Sequence, residues 1–175
     1  MPVTRLNHAV LYVRDVAVTR AFYEATLGFE AVIWMPGQGV FFRAPASTND
    51  HDLAAFQIGS GAGPSEAGRR TVGLYHLAWE VDTLAELQRL QGVLGEHGAL
   101  VGASDHHTTK SLYARDPDGL ELEVCWVVPA DHLTPELRQR ATADPRPQPL
   151  DLDVEMARYG AETRGGIGVS VPAPG

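Results

Sequence analysis

Short stretches of the chain alternate between apolar and polar residues, and longer stretches repeat their apolar residues every three to four positions. Alternation predicts strands, whose side chains point to opposite faces, and the longer period predicts helices. In the first part of the chain the pattern predicts strands over residues 6–13, 29–35, 39–43 and 52–58. It also predicts a helix over 16–27, between Asp15 as N-cap and Gly28 as C-cap. The apolar stripe expected on this helix consists of Val18, Phe22 and Ala25.

The same order of elements returns after a Gly-, Ser- and Pro-rich stretch at 59–70. Strands are predicted over residues 74–81, 100–103, 111–114 and 120–127. Asp82 or Thr83 begins a helix whose apolar side is formed by Leu84, Leu87, Leu90 and Leu94. The first strands of the two halves also have similar sequences, LNHAVLYVRDV and LYHLAWEVDTL. An internal repeat of this kind predicts an α+β fold of two β-α-β-β-β modules, at about 4–60 and 72–128.

The composition changes after Val128, so we expect a domain over 1–128 and a C-terminal extension over 129–175. Thr134 and Pro135 are typical of a helix start and favour a helix within 130–143. A second short helix is predicted at 151–160, and the end of the chain, 165–175, is expected to be disordered. Since the extension contains no catalytic motif, we interpret it as an arm that lies on the domain or on a partner subunit.

The composition excludes several classes of partner. The formal net charge is −8, which argues against nucleic acid and anionic membranes, and no apolar run approaches the length of a membrane span. The single cysteine, Cys125, cannot form an internal disulfide, and we interpret it as a small residue of the strand core. With no apolar leader segment at the N-terminus, these features favour a cytoplasmic protein.

Three polar residues interrupt the apolar strands. His8 and His76 occupy equivalent places in the first strand of each module, and Glu123 lies in the last strand of the second. Polar residues in buried strands are costly unless they are paired or ligated. Two imidazoles and one carboxylate form the facial ligand set of non-haem Fe(II) enzymes, so these residues are candidate metal ligands.

The segments LNHAVLYVRDVAVTRAFYEATLGFE, GLYHLAWEVDTLAELQ and SLYARDPDGLELEV resemble the vicinal oxygen chelate superfamily, which includes glyoxalase I, extradiol dioxygenases, methylmalonyl-CoA epimerase and bleomycin-resistance proteins. The resemblance implies a curved-sheet, half-barrel metal site. In the family's DP-x-G-x-x-x-E pattern the final Glu is the metal ligand, and here it is Glu123. Glu121 does not match the pattern and is interpreted as a rim carboxylate.

Further residues resemble the extradiol dioxygenase branch. Tyr113 precedes Glu123 by ten residues, the spacing of an active-site tyrosine that contacts a catecholate oxygen. His51, which opens a strand, resembles the acid–base histidine of these enzymes, and His106, in preference to His107, resembles a histidine that contacts the substrate oxygen. The resemblance implies an Fe(II) enzyme, with Mn(II) as an alternative metal, that cleaves a catechol-like aromatic with O2 as a homodimer or higher homo-oligomer. Many such enzymes carry four modules, whereas this chain carries two.

Two other functions stay open. An isomerase or lyase of the glyoxalase or epimerase type takes a fourth ligand from the strand that ends the first module, where Gln57 lies. Only one of Phe56 and Gln57 can point at the metal, and a solvent-facing Gln57 is the simpler interpretation. A metal-free binding protein like the resistance members is the third possibility, although such a protein has no need of the three ligands.

Overall fold

The computed structural model describes residues 2–3, 5–67 and 70–166. Most of the segment expected to be disordered, 165–175, lies outside these residues. The chain forms two compact units. Unit 1 consists of Met1–Glu66 with Asp116–Leu120, and unit 2 consists of Ala67–Arg115 with Glu121–Gly175.

Unit 1 contains one four-stranded mixed sheet and one helix. Its elements are β1 (Ala9–Val13), α1 (Val16–Leu27), β2 (Glu30–Met35), β3 (Gly39–Arg43) and β4 (Leu53–Gln57). The strand order is β1-β4-β3-β2, in which β1 and β4 are parallel and the other pairs antiparallel. The bounds of α1 agree with the prediction because the carboxylate of Asp15 accepts hydrogen bonds from two first-turn amides and Gly28 adopts φ +69°.

The apolar stripe predicted for α1 does not coincide with the buried side of the helix. Val18 is 50% exposed and Ala25 is exposed, whereas the buried residues are Val16, Thr19, Tyr23 and Thr26. The ring of Tyr23 packs on those of Phe29 and Phe42, at 5.7 and 5.6 Å between centroids, and these contacts fix which side of the helix faces the sheet. The threonine hydroxyls donate to carbonyl oxygens one turn earlier, which satisfies their polar atoms inside the unit.

Unit 2 repeats the arrangement. Its elements are β5 (His76–Glu80), α2 (Leu84–Glu96), β6 (Leu100–Asp105), β7 (Thr109–Arg115) and β8 (Glu121–Val127), and its strand order β5-β8-β7-β6 matches that of unit 1. The N-cap of α2 is Thr83, whose hydroxyl accepts from the amide of Glu86. The predicted α+β fold of two β-α-β-β-β modules is confirmed.

The two faces of the second sheet differ in chemistry. The four predicted leucines of α2 are buried, and the sheet residues buried with them are Leu112, Ala114, Leu122, Val124 and Trp126. Each fully buried Leu stabilises the unit by about 1.5–3 kcal/mol. Because side chains alternate along a strand, the remaining positions of β7 and β8 place Ser111, Tyr113 and Glu123 together on the opposite face.

The segment after β8 packs on unit 2. It contains a single 3₁₀ turn at Ala130–His132, α3 (Pro135–Ala143), which begins at the predicted Thr134 cap, and α4 (Leu152–Tyr159). Beyond α4, the carbonyl of Ala161 accepts from the amide of Ala85 at 3.0 Å, and the carbonyl of Thr163 accepts from the indole of Trp126 at 3.1 Å. Within the described part of the chain, no helix is long and apolar enough to cross a membrane.

Candidate metal centre

His76 and Glu123, two of the three predicted ligands, are in contact within unit 2. Nε2 of His76 lies 2.9 Å from Oε2 of Glu123, and both side chains are largely buried. The parallel register of β5 and β8 places His76 opposite Glu121 and Ala78 opposite Glu123, so all three polar residues share one face of the sheet. The imidazole thus reaches along the strand to the carboxylate that the motif identifies.

Ser111 holds the other oxygen of Glu123. This fully buried hydroxyl donates to Oε1 at 2.5 Å, which fixes the orientation of the carboxylate. Ser111 was not among the site residues predicted from the sequence. The available signal was its place two residues before Tyr113, because residues two apart on a strand point to the same face.

Tyr113 lies directly opposite Glu123 in the antiparallel pair of β7 and β8. Burial and the neighbouring Glu123 carboxylate raise the pKa of its hydroxyl to about 12. The hydroxyl lies 2.8 Å from Nε2 of His106, a hydrogen bond whose direction follows the tautomer of the imidazole. The structure therefore brings together the two residues expected to orient the substrate.

His107 has a different environment from His106. It is buried, it adopts φ +66°, and its Nε2 lies 2.9 Å from the carbonyl oxygen of Asp144. Its ring is thus engaged by the C-terminal segment, away from Tyr113. His106, and not His107, is therefore the histidine that contacts Tyr113, and its role toward a substrate stays a prediction.

The remaining predicted residues, His8 and His51, are neighbours in unit 1. Their ring centroids are 4.4 Å apart, and Nδ1 of His51 lies 3.2 Å from the carboxylate of Asp50. The ring of Phe41 meets His51 edge-on at 5.1 Å and is itself perpendicular to Phe56 at 5.7 Å. Unit 1 therefore presents two imidazoles beside two aromatic rings.

Gln57 is directed to the other face of the first sheet. Its Oε1 accepts from the amide of Val16 at 3.1 Å, at the start of α1, so the simpler interpretation of a solvent-facing side chain was wrong. Register places Gln57 opposite Val13, on the helix side, and Phe56 opposite Tyr12. In this arrangement the glutamine caps a helix and does not point to the face that carries His8.

The donor groups fit a divalent metal in part. The described residues contain no group of three or more His, Cys, Asp or Glu side chains that could hold a metal ion. In unit 2, however, the Nδ1 atom of His76 is buried without a hydrogen-bond partner among the described residues, and an imidazole and a carboxylate are typical metal ligands. His76 and Glu123 therefore suit a metal as a pair, and His8 as the third ligand stays a prediction.

The family is identified by the sequence of both modules. The family model described as the Glyoxalase/Bleomycin resistance protein/Dioxygenase superfamily matches residues 5–124. The chain belongs to this superfamily. The superfamily, also called the vicinal oxygen chelate superfamily, includes dioxygenases, lyases and resistance proteins. Membership supports a metal-dependent protein that acts on small molecules, and it does not specify the reaction.

Three similar proteins illustrate this range. A catechol-2,3-dioxygenase of Bacillus subtilis is 28% identical over 122 residues, which are 69% of this chain and 41% of that protein, so the chain spans less than half of that relative's length. The structure of a lactoylglutathione lyase from Agrobacterium tumefaciens is 26% identical, with TM-score 0.54, over 71% of this chain and 95% of that one. A glyoxylase/bleomycin resistance protein/dioxygenase domain from Frankia shares the fold, with TM-score 0.62 and 20% identity over 75% of this chain and 98% of that one.

Proposed function

We propose that this chain is an Fe(II)-dependent extradiol dioxygenase that cleaves a catechol-like aromatic with O2. The observation that carries the proposal is the pairing of Tyr113 and His106. Tyr113 is in register with Glu123, and its hydroxyl is hydrogen-bonded to His106 at 2.8 Å. A metal carboxylate beside a hydrogen-bonded Tyr–His pair suits a substrate that presents adjacent oxygens to a metal.

His8, His76 and Glu123 would hold the metal in this proposal, with Mn(II) as the alternative to Fe(II). When bound, Fe(II) supplies Lewis acidity toward phenolic oxygens and redox chemistry toward O2. Ser111 would keep the carboxylate of Glu123 oriented through its 2.5 Å hydrogen bond.

The other polar residues would orient the substrate and move protons. The raised pKa of Tyr113, about 12, keeps its hydroxyl protonated at neutral pH, so that it can donate to a catecholate oxygen. Its bond to His106 limits the rotation of both side chains, which lowers the entropy lost on orienting the substrate. His51 would act as acid and base.

An aromatic substrate suits the surroundings of His51. Phe41 and Phe56 are half-buried on that face of the first sheet, and their edge-to-face contact leaves apolar surface next to an imidazole. Apolar walls with a few convergent polar groups are typical of small-molecule sites. We also infer a homodimer or higher homo-oligomer, which light scattering would measure.

A metal-dependent lyase or isomerase of the glyoxalase type is the second candidate. The 26% identity to the lactoylglutathione lyase favours it. A fourth protein ligand would support this reaction, and Gln57 was the candidate. The engagement of Gln57 with the amide of Val16 weakens that support.

Anaerobic purification followed by metal analysis and oxygen consumption tests these alternatives. For the dioxygenase we expect iron, O2 uptake with catechol and a yellow ring-fission product, all lost in Glu123→Gln and retained in Glu121→Gln. Bound metal without O2 uptake on any catechol, together with conversion of the hemithioacetal of glutathione and methylglyoxal, would establish the lyase instead. Absence of metal, with small-molecule binding unaffected by His8→Ala, would indicate a binding protein.

A further inference from the structure

The residue before His106, Asp105, is hydrogen-bonded to the C-terminal segment. Asp105 ends β6, and its backbone exchanges two hydrogen bonds with Gln148, each 2.8 Å long. These bonds form an isolated antiparallel bridge at the edge of the sheet. The Pro-rich stretch between α3 and α4 therefore fixes the backbone next to His106.

A buried lysine forms an ion pair with the side chain of Asp105. Lys110 is fully buried, and its Nζ lies 2.6 Å from Oδ1 of Asp105 and 2.8 Å from Oε2 of Glu155 on α4. Oδ1 of Asp105 also accepts from the amide of His107 at 2.7 Å. A buried ammonium requires charged partners, so Lys110 of β7 holds the side chain of Asp105 in one orientation and is itself held by Glu155 of the C-terminal segment.

The residue after His106 is held as well. His107 adopts φ +66°, a left-handed conformation that costs a non-glycine residue about 1 kcal/mol or more. Its ring contacts the carbonyl of Asp144 at 2.9 Å, which maintains the conformation from the end of α3. Both neighbours of His106 are thus bound to the C-terminal segment, while the His106 ring points to Tyr113.

These contacts are separate from those that attach the segment to the unit. Beyond α4, Ala161 and Thr163 bond to α2 and β8, and Leu133, Leu137 and Leu152 are buried. The segment would stay attached without its contacts to the turn. The contacts of the segment with Asp105 and His107 are therefore not required to hold the segment on unit 2.

We propose that the C-terminal segment positions His106 against Tyr113, with Lys110, Glu155 and the backbone of Gln148 as positioning residues. The effect of this positioning on catalysis rests on the proposed dioxygenase function. The positioning of His106 rests only on the contacts of the turn. Because a catalytic group displaced by about 1 Å costs up to about 100-fold in rate, contacts to the two neighbours of His106 can set the activity.

Two variants with matched controls test the proposal. Gln148→Pro removes the amide that donates to Asp105, and Gln148→Ala, its control, retains that amide. The triple variant Lys110→Met with Glu155→Leu and Asp105→Asn removes all three charges of the buried cluster, a change that folded proteins tolerate, and keeps an oxygen at position 105 that can accept from the amide of His107. Asp153→Asn, its control, changes an exposed α4 carboxylate that bonds to Gln88 instead.

The first measurement is made on metal-free protein, independently of turnover. Long-range 1H–15N NMR reports the Nε2 atom of His106 through its hydrogen bond to Tyr113. We expect both variants to shift or broaden this signal and both controls to leave it unchanged. A His106 signal identical in variants and controls, with each variant folded by circular dichroism, would overturn the positioning.

The second measurement is steady-state oxygen consumption by the iron-loaded proteins. We expect kcat to fall about 10-fold in both variants at unchanged iron content, the size typical of losing an outer-shell partner. An unchanged kcat beside a changed His106 signal would overturn the role of His106 in the reaction and leave the positioning supported. If the wild type consumes no O2 with catechols, the proposed function fails, and the NMR comparison still decides the positioning.

Discussion

Nε2 of His76 lies 2.9 Å from Oε2 of Glu123, although the residue opposite His76 in the strand register is Glu121. The two carboxylates share one face of β8. Glu121 instead has Arg115 as a distant partner, at 3.8 Å. The contact therefore distinguishes two acidic residues that strand parity alone cannot separate.

The distinction predicts different effects of one isosteric change at the two positions. Glu123→Gln should lower the affinity for Fe(II) or Mn(II) by at least about 100-fold, because losing an outer-shell partner alone costs about 10–100-fold. Glu121→Gln should change it by less than about threefold, since no contact joins that carboxylate to His76. Isothermal titration calorimetry under anaerobic conditions measures both. Equal losses at the two positions would contradict the assignment of Glu123.

The position of Gln57 predicts that its substitution lowers the free energy of unfolding and leaves the affinity for metal unchanged. Gln57→Ala removes the acceptor for the amide of Val16 and should lower the free energy of unfolding by about 1 kcal/mol, the value of one hydrogen bond. Metal affinity should be unchanged because the side chain lies on the helix side of the sheet. Urea denaturation and metal titration of the same preparation give the two quantities. A loss of metal affinity would return Gln57 to the ligand set and favour the lyase.

The hydrogen bond between His106 and Tyr113 predicts non-additive effects on catalysis. His106→Ala and Tyr113→Phe should each lower kcat/KM for a catechol by about 10–100-fold, because each leaves the other side chain unoriented. The double variant should be little worse than the poorer single variant, with a coupling of about 1–2 kcal/mol. His97→Ala, at an exposed histidine at the end of α2, is the control. Purely additive losses would mean that the two residues act independently.

Local signals in the sequence predicted much of the fold. Asp15 and Gly28 were correctly predicted as the N-cap and C-cap of α1, because capping depends on the few residues around a helix end. The buried side of α1 was predicted incorrectly, since Tyr23 is selected by contacts with Phe29 and Phe42, which no local pattern reveals. Helix ends are local properties, whereas the choice of the buried face belongs to the tertiary structure.

Some residues of the candidate site could likewise be predicted from local patterns, and others could not. Motif and spacing placed Glu123 and Tyr113, which the register of adjacent strands then brings side by side. Lys110 could not be found, because a lysine in a strand core is explained only by Asp105 and Glu155, the latter 45 residues away in the chain. Pairings that join distant segments are invisible to patterns with a period of two or four residues.

The turn before β8 predicts a pH dependence of stability. Burial raises the pKa of Asp116 to about 6, although its Oδ1 accepts from the amides of Asp118 and Leu120. Its Oδ2 is buried without a partner among the described residues. The folded protein therefore holds this proton more tightly than the unfolded chain does, whose aspartates titrate near pH 4.

A raised carboxyl pKa stabilises the folded state fully below about pH 4, and the stabilisation is lost as the pH rises through about 6. Asp116 should contribute up to about 3 kcal/mol to this loss, as two pKa units correspond to about 2.7 kcal/mol. Asp116→Asn keeps the acceptor but cannot ionise, so the unfolding free energy of the wild type minus that of the variant should become more negative between pH 4 and pH 7. Urea denaturation at several pH values measures it, with the exposed Asp131→Asn as control. A difference independent of pH would show that Asp116 has an ordinary pKa in the folded protein.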